Sequence, residues 1–275
     1  MATTTSTSFG DLIKHWRKQR GFSQLSLSLA SGVSQRHISF LESGRSQPSR
    51  EMILQLAEIL EIPLREQNKM LTVAGFVPVF TESELSAPEL APIHQALEFT
   101  LKQQEPYPAL VMDRYWNQLE SNQATQRLLN GLVQPEQLLP CVMPSGQLNL
   151  MKVMLHPQGL RSVVANWEDI VPDLVQRVHR ESLTKGQNET SQVLLQELLS
   201  YPDVEDLWQS KISENWQVPL LMVNFVKDSL ELQFFSTITT LGTPYDITLQ
   251  ELRIECFFPG DEITAKRMQQ FAVGE

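Results

Sequence analysis

The chain has 275 residues, of which 41% are hydrophobic and 20% charged, and its formal net charge is −10 at pH 7. This composition is typical of a globular protein with about two domains and argues against an intrinsically disordered chain. The sequence has two cysteines without a Cys-x-x-Cys spacing, no apolar run of about 18 residues and no apolar N-terminal stretch. We therefore expect a cytoplasmic protein without a disulfide scaffold, a structural zinc site, a transmembrane helix or a secretory signal.

The charge is unevenly distributed along the chain. Residues 1–75, here called the head, contain nine Lys and Arg against six Asp and Glu. Residues 76–275 contain 13 basic and 26 acidic side chains. Because a polyanion attracts the basic part of a chain, we expect only the head to approach nucleic acid.

The head is predicted to form five short helices from its apolar spacing and its cap residues. Gly32 supplies the left-handed backbone of a tight turn, and Ser34 then caps the next helix. The second and third helices therefore form a helix-turn-helix. The predicted helices cover residues 9–19, the stretch from Ser23 to Gly32, the stretch from Gln35 to Glu42, a fourth that begins at Pro48-Ser49, and a fifth from Pro63 to about Ala74.

The stretch from Phe9 to Leu60 resembles the XRE-type helix-turn-helix of the lambdoid repressors. The resemblance implies an all-α, lambda-repressor-like head that binds double-stranded DNA as a homodimer on a pseudo-palindromic operator. It also implies an ion pair between Arg17 and Glu42 inside the head. The residues that carry the resemblance are Arg17, Gln24, Leu27, Gly32, Val33, Ser34, Ile38, Leu41, Glu42, Gly44 and Pro48.

In this arrangement the third helix enters the major groove by its N-terminal end. Gln35, Arg36 and Ser39 then face base edges, where Gln pairs with adenine and Arg with guanine. For each predicted contact the alternative is a solvent-facing side chain that touches no DNA. The further predicted contacts are Phe40 with a thymine methyl, His37 with a base or a phosphate, and Gln24, Arg45 and Arg50 with backbone phosphates.

A linker is predicted at 79–92, where prolines, serines and acidic residues replace any periodic apolar face. A second, α+β domain is expected over 93–275. Two strands, a helical insert and three antiparallel strands are the layout of a PAS-like domain. The predicted elements are a helix at 93–104, strands at 108–113 and around Trp116, a helix over 122–132, a long helix at 161–183, helices at 189–200 and 203–212, and strands within 218–226, 230–241 and 246–258.

The stretches 108–129 and 154–181 resemble the ligand-binding domain of MmyB-like regulators. The segment 67–80 is similar to the junction between the two domains in that family. With the head, the resemblance covers nearly the whole chain. It implies a PAS-like domain that binds a long aliphatic molecule such as a fatty acid.

Large apolar residues in the predicted sheet and insert suit such a ligand, and Met154 would make the lining adaptable. Arg161 is the candidate partner for a carboxylate, because Arg pairs with a carboxylate through two hydrogen bonds. The alternatives are that the apolar residues form an ordinary core and that Arg161 contacts Glu168 or solvent. The candidate ligand contacts are Trp116, Asn122, Leu128, Leu150, Met154, Arg161, Trp167, Phe225 and Phe234.

The motifs of common enzymes are not found in the sequence: it has no Gly-rich phosphate loop, no Gly-x-Ser-x-Gly and no His-Glu-x-x-His. We therefore predict a transcriptional regulator without catalytic activity, without a metal and without a cofactor other than a possible bound fatty acid. One alternative keeps the DNA-binding head but makes the second domain only a dimerisation or protein-interaction platform. Another is an interaction module whose helix-turn-helix does not bind DNA.

Overall fold

In a computed structural model the chain divides into two compact units, Met1–Glu84 with Gly242–Gln250, and Leu85–Leu241 with Glu251–Glu275. The sequence-based boundaries placed 242–250 in the C-terminal domain, whereas the structure groups this segment with the head. The residues that the structure describes are 8–133, 142, 146–182, 189–212, 220–242 and 244–273.

The head forms the five helices that its caps and apolar spacing predict. Ser23 accepts a hydrogen bond from the backbone N–H of Ser26 at 2.9 Å, and Ser34 accepts one from His37 at 3.2 Å. Gly32 has a φ of 70°, the left-handed conformation required between the second and third helices. The helices are α1 Phe9–Gln19, α2 Gln24–Ser31, α3 Gln35–Glu42, α4 Arg50–Ile59 and α5 Leu64–Val73.

One apolar cluster holds these helices together. At Gly10 a Cβ atom would lie 2.7 Å from the backbone oxygen of Leu41, so α1 approaches the end of α3 as closely as glycine allows. Val33 is half-buried and packs against the cluster. The cluster includes Leu12, Ile13, Trp16, Leu27, Ile38, Leu41, Ile53, Leu56, Leu60, Met70 and Leu71.

The segment 242–250 is tied to the rest of its unit by hydrogen bonds around Asp246. The Asp246 carboxylate accepts hydrogen bonds from the Thr81 hydroxyl at 2.8 Å and from the Ser83 N–H at 3.1 Å. Gln250 accepts one from the Leu64 N–H, at the first residue of α5, at 2.8 Å. Burial disfavours the Asp246 carboxylate, but these hydrogen bonds outweigh burial and lower its pKa.

The C-terminal unit is built on an antiparallel five-stranded sheet with the strand order β2-β1-β5-β4-β3. Helices inserted between β2 and β3 make it the predicted PAS-like α+β domain. Its elements are α6 Ala91–Gln103, β1 Ala109–Met112, β2 Gln118–Ser121, α7 Gln123–Leu132, α8 Leu150–Leu155, α9 Trp167–Ser182, α10 Glu189–Leu199, α11 Val204–Ile212, β3 Val223–Lys227, β4 Leu230–Thr239, β5 Arg253–Pro259 and α13 Glu262–Val273. Between β4 and β5, α12 Ile247–Glu251 lies almost wholly in the segment that is grouped with the head.

The predicted long helix over 161–183 is wrong in its first turns. The chain forms a 3-10 turn at Leu160–Val163 and begins α9 only at Trp167. The backbone N–H of Ala165 donates to Asn224 at 2.8 Å, and the Asn166 amide nitrogen donates to the Met222 carbonyl at 2.8 Å. These contacts with β3 and the residue before it interrupt the helix.

The strand predicted over 246–258 is also wrong in its first half. The spacing of apolar residues resembles strand alternation, but α12 occupies Ile247–Glu251 and the strand begins at Arg253. Asp246 accepts the N–H groups of Thr248 at 2.9 Å and Leu249 at 3.3 Å, which caps the helix.

Trp116 was predicted in a strand but lies in the turn between β1 and β2. Its φ is 67°, a conformation that is strained for a bulky side chain. The Asp113 carboxylate accepts the N–H groups of Tyr115 at 2.7 Å and Asn117 at 2.9 Å and holds this turn.

Throughout the described ranges, no helix combines the length and apolar character needed to cross a membrane.

Candidate DNA interface and ligand-binding domain

One face of α3 is buried in the head and the other is open. Ile38 and Leu41 are each 1% exposed and face the core. Gln35 and Arg36 are exposed, and Ser39 lies between them on the same side of the helix. The sequence-predicted base contacts therefore share one accessible surface at the N-terminal end of α3.

Phe40 organises two basic side chains on this surface. The guanidinium carbon of Arg36 lies 5.3 Å from the centroid of the Phe40 ring, and that of Arg45 lies 5.8 Å from it. Both distances are within the range of cation–π attraction. The backbone N–H of Arg45 also donates to the Phe40 carbonyl at 2.9 Å. Phe40 is thus placed to restrict two arginines, a role that spacing alone did not indicate.

The remaining predicted DNA contacts lie around α3. His37 is half-buried in the first turn of α3, and Arg50 is exposed at the first residue of α4. Gln24 is the first residue of α2, and its amide nitrogen donates to Glu42 at 2.9 Å.

The ion pair implied between Arg17 and Glu42 is present. Arg17 Nε lies 2.5 Å from Glu42 Oε1, and Arg17 Nη2 lies 3.0 Å from Oε2. Burial raises the pKa of Glu42, but the hydrogen bonds from Arg17 and Gln24 more than offset it, so the pKa is lowered. An ionised Glu42 thereby joins α1, α2 and α3.

The structure brings most predicted ligand contacts into one apolar cluster. Leu150 is half-buried and packs against it. Phe225 and Phe234 are edge-on, with centroids 6.3 Å apart, and Trp167 donates its indole N–H to the Met154 carbonyl at 3.3 Å. The predicted residues buried in the cluster are Trp116, Leu128, Met154, Trp167, Phe225 and Phe234.

The two polar candidates are engaged within the protein. Asn122 caps α7; its amide oxygen accepts the N–H of Ala109 at 3.0 Å, and its nitrogen donates to the Tyr107 carbonyl at 2.8 Å. Arg161 pairs with Asp203 at 2.7 Å rather than with Glu168, and its guanidinium lies 3.8 Å from the Trp167 ring centroid.

The domain also contains a group of charged side chains, buried or half-buried, that sequence reasoning missed. Arg253 and Glu255 alternate along β5, and Arg177 and Glu181 lie one turn apart on α9. Glu255 is 3% exposed. The signal in the sequence for Arg253 and Glu255 was the alternation of charged residues within 253–259. Such an alternation usually marks the solvent-facing side of a strand.

An open groove of about 670 Å³ lies between α6, β2 and α7. Its lining includes three acidic side chains, Glu98, Glu105 and Glu120. Of the predicted ligand contacts, Asn122 borders it. The groove is therefore lined by other residues than the apolar cluster that contains most of the predicted ligand contacts.

Two family models match the chain in agreement with this geometry. A helix-turn-helix model matches residues 13–67, and the model described as "MmyB-like transcription regulator ligand binding domain" matches residues 93–271. The fold and these matches define a class of protein, a DNA-binding transcription regulator with a ligand-binding domain. Within that class, the chain belongs to the MmyB-like family, and both resemblances inferred from the sequence are confirmed.

The other comparisons add little. A solved structure titled "Structure of an RNA-binding Light-Oxygen-Voltage Receptor" is 11% identical, with a TM-score of 0.27. The comparison covers 99% of this chain and 65% of that chain, and a likeness of this level carries no argument about fold or function. The search of curated proteins gave no match.

Proposed function

We propose that this protein is a sequence-specific, cytoplasmic regulator that binds a pseudo-palindromic operator as a homodimer. Its C-terminal domain would sense a small apolar ligand, such as a long-chain fatty acid or a similar amphiphile. The observation that carries the DNA part is the open face of α3, which presents Gln35, Arg36 and Ser39, and where Arg36 and Arg45 both lie against the Phe40 ring.

Arg36 is the principal candidate for base readout. A guanidinium donates two hydrogen bonds to guanine O6 and N7 in the major groove. Stacking on Phe40 restricts the Arg36 side chain before DNA binds, which reduces the conformational entropy lost on binding. Arg45, on the same ring, and Arg50, at the start of α4, are suited to the phosphates on either side.

Gln24 is suited to a phosphate at the N-terminus of α2. Its amide nitrogen carries two hydrogens, and Glu42 accepts one of them. The second hydrogen and the free backbone N–H groups of the first turn of α2 would then face the DNA backbone. A dimer would place two copies of α3 about 34 Å apart, one turn of the double helix.

The experiment begins with selection of an operator from random DNA by the full chain. Binding of the selected site and of scrambled DNA is then measured by fluorescence anisotropy over a series of salt concentrations. Arg36→Ala is expected to weaken the selected site by about 1–3 kcal/mol and to relax one base position. Lys18→Ala, which removes an exposed charge from α1, is the matched control. Equal losses on both DNAs in Arg36→Ala would contradict base readout.

The ligand part rests on the apolar cluster that gathers Trp116, Met154, Phe225 and Phe234. Native mass spectrometry of gently purified protein, compared with the denatured mass, tests it. A stoichiometric extra mass that solvent extraction identifies as an amphiphile supports the proposal. An unliganded mass that does not change on incubation with fatty acids favours an interaction platform.

A further inference from the structure

The buried face of the sheet carries charges where its neighbours are apolar. In the β1–β5 ladder, Leu110 lies opposite Glu255 and Met112 lies opposite Arg253. Residues directly opposite each other project from the same face of a sheet. Leu110 and Met112 are 2% and 0% exposed and belong to the apolar cluster that includes α9. Arg253 and Glu255 therefore also project toward that cluster.

Arg253 is held in place on two sides. Its Nη2 atom lies 2.5 Å from Glu181 Oε1, and its guanidinium carbon lies 4.4 Å from the centroid of the Trp116 ring. The Trp116 indole N–H donates to the other Glu181 oxygen at 3.1 Å. The strained turn that holds Trp116 therefore also orients Arg253.

Glu255 has a partner on only one of its oxygens. Ser236 donates its hydroxyl to Oε1 at 2.5 Å, and Arg177 lies 3.8 Å from the same atom. Glu255 Oε2 is buried without a hydrogen-bond partner, and so is Arg253 Nη1. A buried polar group without a partner is costly, and apolar side chains of similar size would stabilise the fold at least as well. These two atoms thus mark a place where the protein has polar binding capacity that its own fold does not use.

We propose that Arg253 and Glu255 are the polar recognition site of the ligand-binding domain, where the carboxylic acid end of an amphiphile binds between Arg253 Nη1 and Glu255 Oε2. One ligand oxygen accepts from Arg253, the other shares a proton with Glu255, and the aliphatic part packs against the apolar cluster. This inference rests on the proposed function, because it identifies the polar contact of the same ligand.

The electrostatics of the two residues suits an acid. Burial raises the pKa of Glu255, although Ser236, Arg177 and Arg253 oppose the rise. A carboxyl that retains its proton more readily can donate a hydrogen bond to an anionic oxygen. Arg161, the candidate from the sequence, is less suited because Asp203 and the Pro202 carbonyl already accept its hydrogen bonds.

The test compares dodecanoic acid with methyl dodecanoate in the full chain. The affinity of each compound is measured from its ability to displace N-phenyl-1-naphthylamine, a neutral fluorescent probe of apolar sites. The wild type is expected to bind the acid at least about tenfold more tightly than the ester, the effect of one charge-assisted hydrogen bond. Arg253→Lys keeps the charge opposite Glu181 but changes the donor geometry, so it should abolish this preference for the acid over the ester. Arg161→Met should retain the preference.

Equal affinity for acid and ester in the wild type, or loss of the preference in Arg161→Met alone, would overturn this site and leave the proposed function intact. Displacement by neither compound would overturn both. Hydrogen exchange of wild-type β5 supplies a measurement that needs no variant. Dodecanoic acid should slow exchange over 253–257 more than the ester does, and equal protection by both compounds again overturns the site.

Discussion

Replacement of Glu42 by alanine tests how the head is held together. The carboxylate receives two hydrogen bonds from Arg17, at 2.5 and 3.0 Å, and one from Gln24 at 2.9 Å. The side chains of Arg17 and Glu42 are only 9% and 5% exposed. Removal of one partner of a buried ion pair costs about 3–5 kcal/mol, because it leaves the other charge uncompensated. For Glu42→Ala we expect the free energy of unfolding of the head to fall by about 3 kcal/mol, the lower end of this range. The loss is limited because Arg17 keeps its hydrogen bond to the Phe22 carbonyl at 2.7 Å.

Hydrogen exchange of the full chain, followed by mass spectrometry of peptides from α1 to α3, measures this loss inside the head alone. Protection in Glu42→Ala should fall about 100-fold relative to the wild type. Glu58→Ala removes an exposed carboxylate from α4 and serves as the control. Protection in Glu42→Ala equal to that of the control would refute the role assigned to the pair.

The same carboxylate makes head stability depend on pH. The folded pKa of Glu42 is below its ordinary value, so the unfolded chain takes up a proton first as the pH falls. The stabilisation is complete above the unfolded pKa of about 4.3 and is lost as the pH falls through the lower folded pKa. Glu42→Gln should remove this part of the acid dependence, which exchange at matched pH values measures.

Three further changes test the fold around the sites. Asn122→Ala removes the α7 cap and a bonded acceptor of the Ala109 N–H, so it should destabilise the domain by about 2 kcal/mol, measured as faster exchange in β1. Asp246→Ala should accelerate hydrogen exchange in 81–84 and 244–250 but leave exchange in β1 unchanged. The reason is that the Asp246 carboxylate accepts hydrogen bonds from residues of these two segments, among them Thr81, Ser83 and Thr248. Gly10→Ala forces a Cβ to 2.7 Å from the Leu41 oxygen, and the resulting shift should destabilise the head by about 1–3 kcal/mol in denaturant titrations.

The head was predictable because its signals are local. Ser23, Gly32 and Ser34 mark helix ends by their own chemistry, within a few residues of the hydrogen bonds they make. The spacing of Gln35, Arg36 and Ser39 also identified their common face before the structure did. What spacing did not give was the contact of Phe40 with two arginines, because Arg45 lies beyond the end of the helix.

The C-terminal domain was predictable in layout but less so in detail. Its last segment was interpreted as one strand because a short apolar alternation does not distinguish a strand from a capped helix. The partners of Asp246 that decide between them include Thr81, far away in sequence. Similarly, the alternating charges of Arg253 and Glu255 indicate an exposed strand side until the register with β1 places them opposite buried residues.

The segment 242–250 has a consequence for protein engineering. Because it joins the head unit while both its ends continue into the second unit, the chain passes between the units three times, at 84–85, 241–242 and 250–251. A head fragment that ends in the linker would lack Gln250, the acceptor for the Leu64 N–H. It would also be separated from Asp246, the acceptor for the Thr81 hydroxyl in the linker. The head and the ligand-binding domain are therefore not interchangeable modules divided at one point, and a chimera must carry this insertion together with the head to which it is matched.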